Sequence, residues 1–189
     1  MAWLLEHVVG ITAEIRGREH MPSGPCIIAS KHQSAWETMA YVFILDNPSF
    51  IIKREILFIP IFGLYVWRAH LVPINRKAGV RAVRQMLRRA REVLSAGRSI
   101  IMFPEGTRVA PGSHRPYHPG IVALYSHLHV PVVPVALNSG LFWRRRSFIK
   151  RPGKIVLEFL PPIQAGLEKK AFLVQLERRI EDATTELLA

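Results

Sequence analysis

Two short stretches carry residue types that can perform acid–base and anion chemistry. In the first, Lys31-His32-Gln33-Ser34-Ala35-Trp36-Glu37-Thr38 follows the apolar run Cys26 to Ser30. A carboxylate beside an imidazole fixes its tautomer, stabilises the imidazolium and leaves the other ring nitrogen to take a proton. Residues five apart on one helix diverge by about 140°. His32 and Glu37 therefore pair only if His32 lies in a loop or first turn and the acid reaches back. In the second stretch, Phe103-Pro104-Glu105-Gly106-Thr107-Arg108 follows the apolar run Ser99 to Phe103. A carboxylate, a flexible backbone and a guanidinium at a strand end suit a polyol phosphate, with Glu105 on a hydroxyl and Arg108 on the phosphate. Chance spacing for the first stretch, and a tight turn with a surface ion pair for the second, are the plain alternatives.

These residues need a scaffold that brings strand ends together. Apolar, strand-length runs occur at 11–16, 26–30, 50–53, 71–75, 99–103, 130–137 and 154–160, several of them apolar throughout, as in strands buried on both faces. Helical patterns fall at about 34–45, 77–96, 118–128 and 167–188. The alternation predicts an α/β fold: a mostly parallel or mixed central sheet of about seven strands flanked by helices, in a single domain over 1–189. A histidine just past a strand end then sits where open α/β sheets place ligand sites. In 77–96, Val80, Val83, Leu87, Ala90 and Leu94 mark a core face. Arg81, Arg84, Arg88 and Arg91 follow one position later, about 100° around the helix. That stripe suits a solvated face, an anionic lipid surface, or both.

The motifs together resemble the 1-acylglycerol-3-phosphate (lysophosphatidate) acyltransferase family of glycerolipid acyltransferases. His32 to Glu37 resembles its H-x4-D signature, and Phe103 to Arg108 matches F-P-E-G-T-R. Gly63 through Pro73-Ile74-Asn75-Arg76 resembles a block ending in Arg, and Val130-Pro131-Val132-Val133-Pro134-Val135 resembles the V-P-x-x-P-V strand, so the likeness covers roughly residues 25–140. The usual Asp is Glu37 here, one methylene longer with the same charge. The resemblance implies transfer of a fatty acyl group from acyl-CoA or acyl carrier protein to the 2-hydroxyl of 1-acylglycerol 3-phosphate, giving phosphatidic acid. It makes His32 and Glu37 catalytic and Arg76, Glu105, Gly106, Thr107 and Arg108 substrate-binding. No metal or cofactor is implied beyond the acyl donor. Another lyso-lipid, such as a lyso-ornithine lipid, is an alternative acceptor. The apolar stretch 56–67 suits an acyl-chain groove, membrane contact or ordinary core.

Composition sets the remaining limits. The 189 residues include 26 Lys plus Arg against 14 Asp plus Glu, a net charge of +12, and 49% are hydrophobic. A core is affordable and disorder is excluded as the main state. Residues 68–98 hold nine basic residues against Glu92, and 144–154 hold six with no acid, so the positive field belongs to two segments. Such a chain seeks phosphate, on a substrate, a membrane or a nucleic acid. A non-catalytic basic protein that binds lipid surfaces or nucleic acid is the competing class; the motifs favour the enzyme, with an anionic membrane surface, the lysophospholipid and the acyl thioester as partners and no nucleic acid. Phe142 and Trp143 beside Arg144-Arg145-Arg146 look like an interfacial pair. No run resembles a spanning helix, and residues 2–10 resemble neither a signal peptide nor an anchor. The expected location is the cytoplasmic face of the inner or plasma membrane, held peripherally or by an N-terminal segment missing from this chain. Cys26 lies in an apolar run without a neighbouring base, Ser34 lacks a G-x-S-x-G elbow, and His127 and His129 lack a third ligand.

Overall fold

The computed structural model describes residues 2–55, 71–74 and 79–189. The expected Arg76, and the apolar stretch 56–67, lie outside the described residues. Each expected strand forms within about two residues of its predicted bounds: β1 Ile11–Arg16, β2 Ile27–Ser30, β3 Ser49–Lys53, β4 Val72–Ile74, β5 Ile100–Met102, β6 Val132–Leu137 and β7 Gly153–Phe159. They make one sheet in the order β1-β7-β6-β2-β5-β3-β4. All neighbours are parallel except β6 and β7, so the sheet is mixed. The apolar β2 lies at its centre, with Ile27 facing Ile100 of β5 on one side and Val132 of β6 on the other. Three parallel strands therefore deliver their carboxyl ends to one place.

The helices are α1 Ala2–Val9, α2 Trp36–Ile44, α3 Gly79–Ser95, α4 Gly120–Leu128, α5 Ser139–Phe142 and α6 Lys169–Glu186. Sequence periodicity had not indicated α1 or the single-turn α5. The period-two alternation of β2 sends Ile27 and Ala29 into one core with α3, α4 and α6, and Cys26 and Ile28 into another with Trp36 and Tyr41 of α2. Burial pushes the Cys26 thiol up, against the lowering effect of its Ser99 hydrogen bond, as expected for a core residue. On α6, Phe172, Leu176, Ile180 and Thr184 recur every fourth residue and are buried. That face turns the neighbouring Glu181 toward the end of β2, where Lys31 meets it.

The core face of α3 differs from the periodicity reading. Its buried residues are Ala82, Met86, Leu87, Ala90, Val93 and Leu94, while Val80 is exposed and Val83 half-buried. The helix carries two overlapping apolar stripes, and the sheet selects the one containing Ala82, Met86 and Val93. Arg81, Arg84, Arg88 and Arg91 are all exposed and point about 150° away from the core rather than 100°. The stripe is the outermost surface of the helix.

Candidate active site

The local sequence explains why Glu37 turns back toward His32. Ser34-Ala35-Trp36-Glu37 has the S-x-x-E spacing of a capping box. Ser34 Oγ accepts from the Trp36 N–H at 2.9 Å, and Glu37 Oε1 accepts from the Ser34 N–H at 2.7 Å and the Gln33 N–H at 2.8 Å. The same Oε1 lies 2.8 Å from His32 Nδ1. His32 precedes α2 rather than riding on it, which removes the 140° divergence. Glu37 Oε2 accepts from the hydroxyls of Ser34 and Ser139, each at 2.8 Å. Burial alone would push this wholly buried carboxyl up, but the imidazole and the Ser34 amide outweigh burial and hold it below the usual carboxylate range. The His32 ring stacks on Phe103 with centroids 3.9 Å apart. One nitrogen is committed to Glu37, and no described residue is hydrogen-bonded to Nε2.

Glu105 departs from expectation. Its carboxylate is fully buried rather than turned to a substrate hydroxyl. Oε2 accepts from the His32 N–H at 3.0 Å, and Oε1 lies 2.7 Å from Lys31 Nζ. Lys31, itself buried, also donates to both carboxylate oxygens of Glu181 at 2.8 and 2.7 Å, and Tyr117 donates its hydroxyl to Glu181 at 2.9 Å. Burial raises the Glu105 carboxyl, against the lowering effect of Lys31; burial and the neighbouring Glu181 push the Tyr117 hydroxyl far up. A buried cation between two carboxylates thus fixes the backbone at His32 and ties it to α6.

The rest of the F-P-E-G-T-R stretch forms the rim. Gly106 takes φ 69°, a left-handed conformation that a side chain disfavours, and its N–H closes a turn on the Phe103 carbonyl at 3.0 Å. Thr107 and Arg108 are half-buried. The Val109 N–H reaches the His32 carbonyl at 2.7 Å, which pins this loop beside the histidine. Arg108 lines a cavity of about 470 Å³ with Gln33, Pro111, Gly140, Arg144 and Arg145. Gly140 is there because nothing larger fits: a Cβ would sit 2.8 Å from the Pro111 ring and 3.0 Å from the Gln33 Cβ.

Sequence reasoning missed Lys31, Ser139, Tyr117 and Glu181. The Ser34 to Glu37 spacing was a readable signal for the acid's orientation. Ser139 and Glu181 come from distant elements and left no local signal. Phe142 and Trp143, expected at an interface, pack against the core. Instead Phe148 and Ile149 are exposed between Arg146 and Lys150.

A histidine oriented by a buried carboxylate beside an arginine-lined cavity, at the carboxyl ends of parallel strands, is an arrangement in an α/β fold that can do acid–base chemistry next to an anion. Comparison with known proteins specifies the class. The family model Acyltransferase matches residues 12–138. The 1-acyl-sn-glycerol-3-phosphate acyltransferase of Pseudomonas aeruginosa is 35% identical over 187 residues, covering 99% of this chain and 73% of that protein. The protein of that name from Limnanthes alba is 33% identical, covering 82% of this chain and 55% of its own length. The crystal structure of the 1-acyl-sn-glycerophosphate (LPA) acyltransferase PlsC from Thermotoga maritima matches with a TM-score of 0.77 at 25% identity, over 96% of this chain and 73% of that one. The chain belongs to the acyltransferase family and is an enzyme like those named 1-acyl-sn-glycerol-3-phosphate acyltransferase. It spans little more than half the length of the Limnanthes relative. No described helix is long and apolar enough to cross a membrane.

Proposed function

We propose that the protein transfers a fatty acyl group from a thioester, acyl-CoA or acyl-acyl carrier protein, to the 2-hydroxyl of 1-acylglycerol 3-phosphate. The observation that carries this reading is the His32 Nδ1 to Glu37 pair at 2.8 Å, which leaves Nε2 as the basic nitrogen. Nε2 takes the hydroxyl proton as the oxygen attacks the thioester carbonyl carbon. The C–S bond of the resulting tetrahedral species then breaks, and the departing sulfur receives the proton from the imidazolium. Glu37 stabilises that imidazolium throughout. The products are phosphatidic acid and the free thiol, and no acyl-enzyme is needed.

Arg108 holds the acceptor's phosphate, with Gly106 and Thr107 shaping the rim and Arg76 contributing from outside the described residues. Glu105 acts on the backbone of His32 instead of on substrate. The exposed stripe of Arg81, Arg84, Arg88 and Arg91 rests on an anionic membrane surface at the cytoplasmic face, with Phe148 and Ile149 as apolar contacts. An acyl-transfer assay with a panel of lyso-lipid acceptors and both donor types tests the reading. Phosphatidic acid formation by the wild type, abolished in a folded His32→Ala variant, is expected. Transfer only to acceptors other than lysophosphatidate, or an active His32→Ala variant, would refute it.

A further inference from the structure

The basic run 144–146 is exposed throughout, but its members do not share one setting. Arg144 and Arg145 line the same cavity as Arg108, whereas Arg146 does not. Three arginines therefore line one space. No described carboxylate lies within 4.0 Å of any of them, although Arg16, Lys31, Lys53, Arg89 and Lys154 all have such partners. Like charges gathered without a counter-charge repel one another, and an anion placed between them removes that cost.

Two independent features place this cluster beside the histidine. Arg145 Nη1 donates to the Arg108 carbonyl at 3.3 Å, and the Gly140 N–H donates to Gln33 Oε1 at 2.9 Å, so the loops after β2, β5 and β6 are joined around the cavity. Gln33, next to His32, lines the cavity and is 1% exposed, yet its Nε2 is buried with no hydrogen-bond partner. A buried amide donor without an acceptor is costly, and a turn of the Gln33 side chain toward the cavity would give it an oxyanion bound there.

We infer that Arg144, Arg145 and Gln33 complete with Arg108 a binding site for a phosphate monoester dianion. This rests on the phosphate role of Arg108 proposed above and extends it to the loop after β6. Two substrates carry such a group: the glycerol 3-phosphate headgroup of the acceptor and the 3′-phosphate of CoA. Planar, forked donors suit either.

Isothermal titration of the full chain with sn-glycerol 3-phosphate, and separately with adenosine 3′,5′-bisphosphate, tests the site. The wild type should bind at least one probe, and Arg144→Gln/Arg145→Gln should weaken that probe at least about tenfold. Arg146→Gln, which loses a charge from the same run outside the cavity, should bind as the wild type does. Loss confined to sn-glycerol 3-phosphate assigns the site to the acceptor and agrees with the Arg108 role proposed above, whereas loss confined to the bisphosphate assigns the site to the donor and overturns the acceptor role of Arg108. Wild-type affinity in the double variant, equal loss in Arg146→Gln, or no binding of either probe by the wild type would overturn the proposal. If Arg108→Gln alone loses affinity, the Arg108 reading survives and this one fails. If the site binds phosphate but the enzyme makes no phosphatidic acid, the proposed function fails and the site stands.

Discussion

Replacing Glu37 with Gln and with Asp separates the charge of the acid from its position. Oε1 of Glu37 accepts from His32 and from the N–H groups of Gln33 and Ser34, and Oε2 accepts from two hydroxyls. Glutamine keeps an oxygen on the first three donors, because the hydroxyls of Ser34 and Ser139 can rotate to accept from its amide NH2. The imidazole stays oriented, and the charge opposite the imidazolium is lost. Two unit charges about 4 Å apart interact by about 4 kcal/mol at an effective dielectric constant of about 20. The His32 side chain is only 16% exposed, so most of that survives screening. At about 1.4 kcal/mol per decade, kcat for phosphatidic acid formation should fall by two to three orders of magnitude in Glu37→Gln. Aspartate keeps the charge but withdraws it by about 1.5 Å, which orphans buried donors at about 1 to 3 kcal/mol each. Glu37→Asp should therefore be the more active variant and the less stable one, as read by saturating turnover and by thermal melts. Glu37→Gln retaining more than about a tenth of wild-type kcat, or outperforming Glu37→Asp while both stay folded, would refute the reasoning. The acid limb gives a second readout. A carboxyl held below its ordinary value of 4.5 contributes stability above that pH and loses it as pH falls through the lowered value. Glu37→Gln lacks this contribution, so its melting temperature should converge on the wild type below pH 4.5; a constant gap would count against the buried anion.

Lys31→Met leaves Glu105 and Glu181 facing each other without their cation, and breaking a buried pair of this kind costs about 3 to 5 kcal/mol. Chemical denaturation should show that loss and its partial recovery in Lys31→Met/Glu105→Gln, whose neutral amide still accepts from the His32 N–H; an unchanged midpoint for Lys31→Met would contradict the assignment. Reversing Arg81, Arg84 and Arg88 to Glu removes three contacts worth about 1 kcal/mol each and should lower partitioning onto anionic vesicles by about two orders of magnitude. Unchanged cosedimentation would show that this face does not meet lipid.

The local sequence determined the strands, the helices α2, α3, α4 and α6, and their order along the chain. The strands at 27–30, 100–102 and 132–137 announce themselves because burial on both faces demands unbroken apolar runs, and His32 and Arg108 are legible because each follows such a run. The acid's turn toward His32 is local too, since Ser34 and Glu37 form the capping interaction within four residues. Tertiary structure decided which groups share a space. Only the sheet order brings Ser139 onto Glu37 and sets Arg144 and Arg145 beside Arg108, since β6 neighbours β2 from more than 100 residues away. Only the docking of α6 supplies Glu181 to Lys31, which turns Glu105 inward. The choice between two apolar stripes on α3 is likewise made by the surface it packs on, and that choice sends the arginines outward. Periodicity reports that a face is buried; which residues meet across the core depends on contacts between chain segments that no local pattern records.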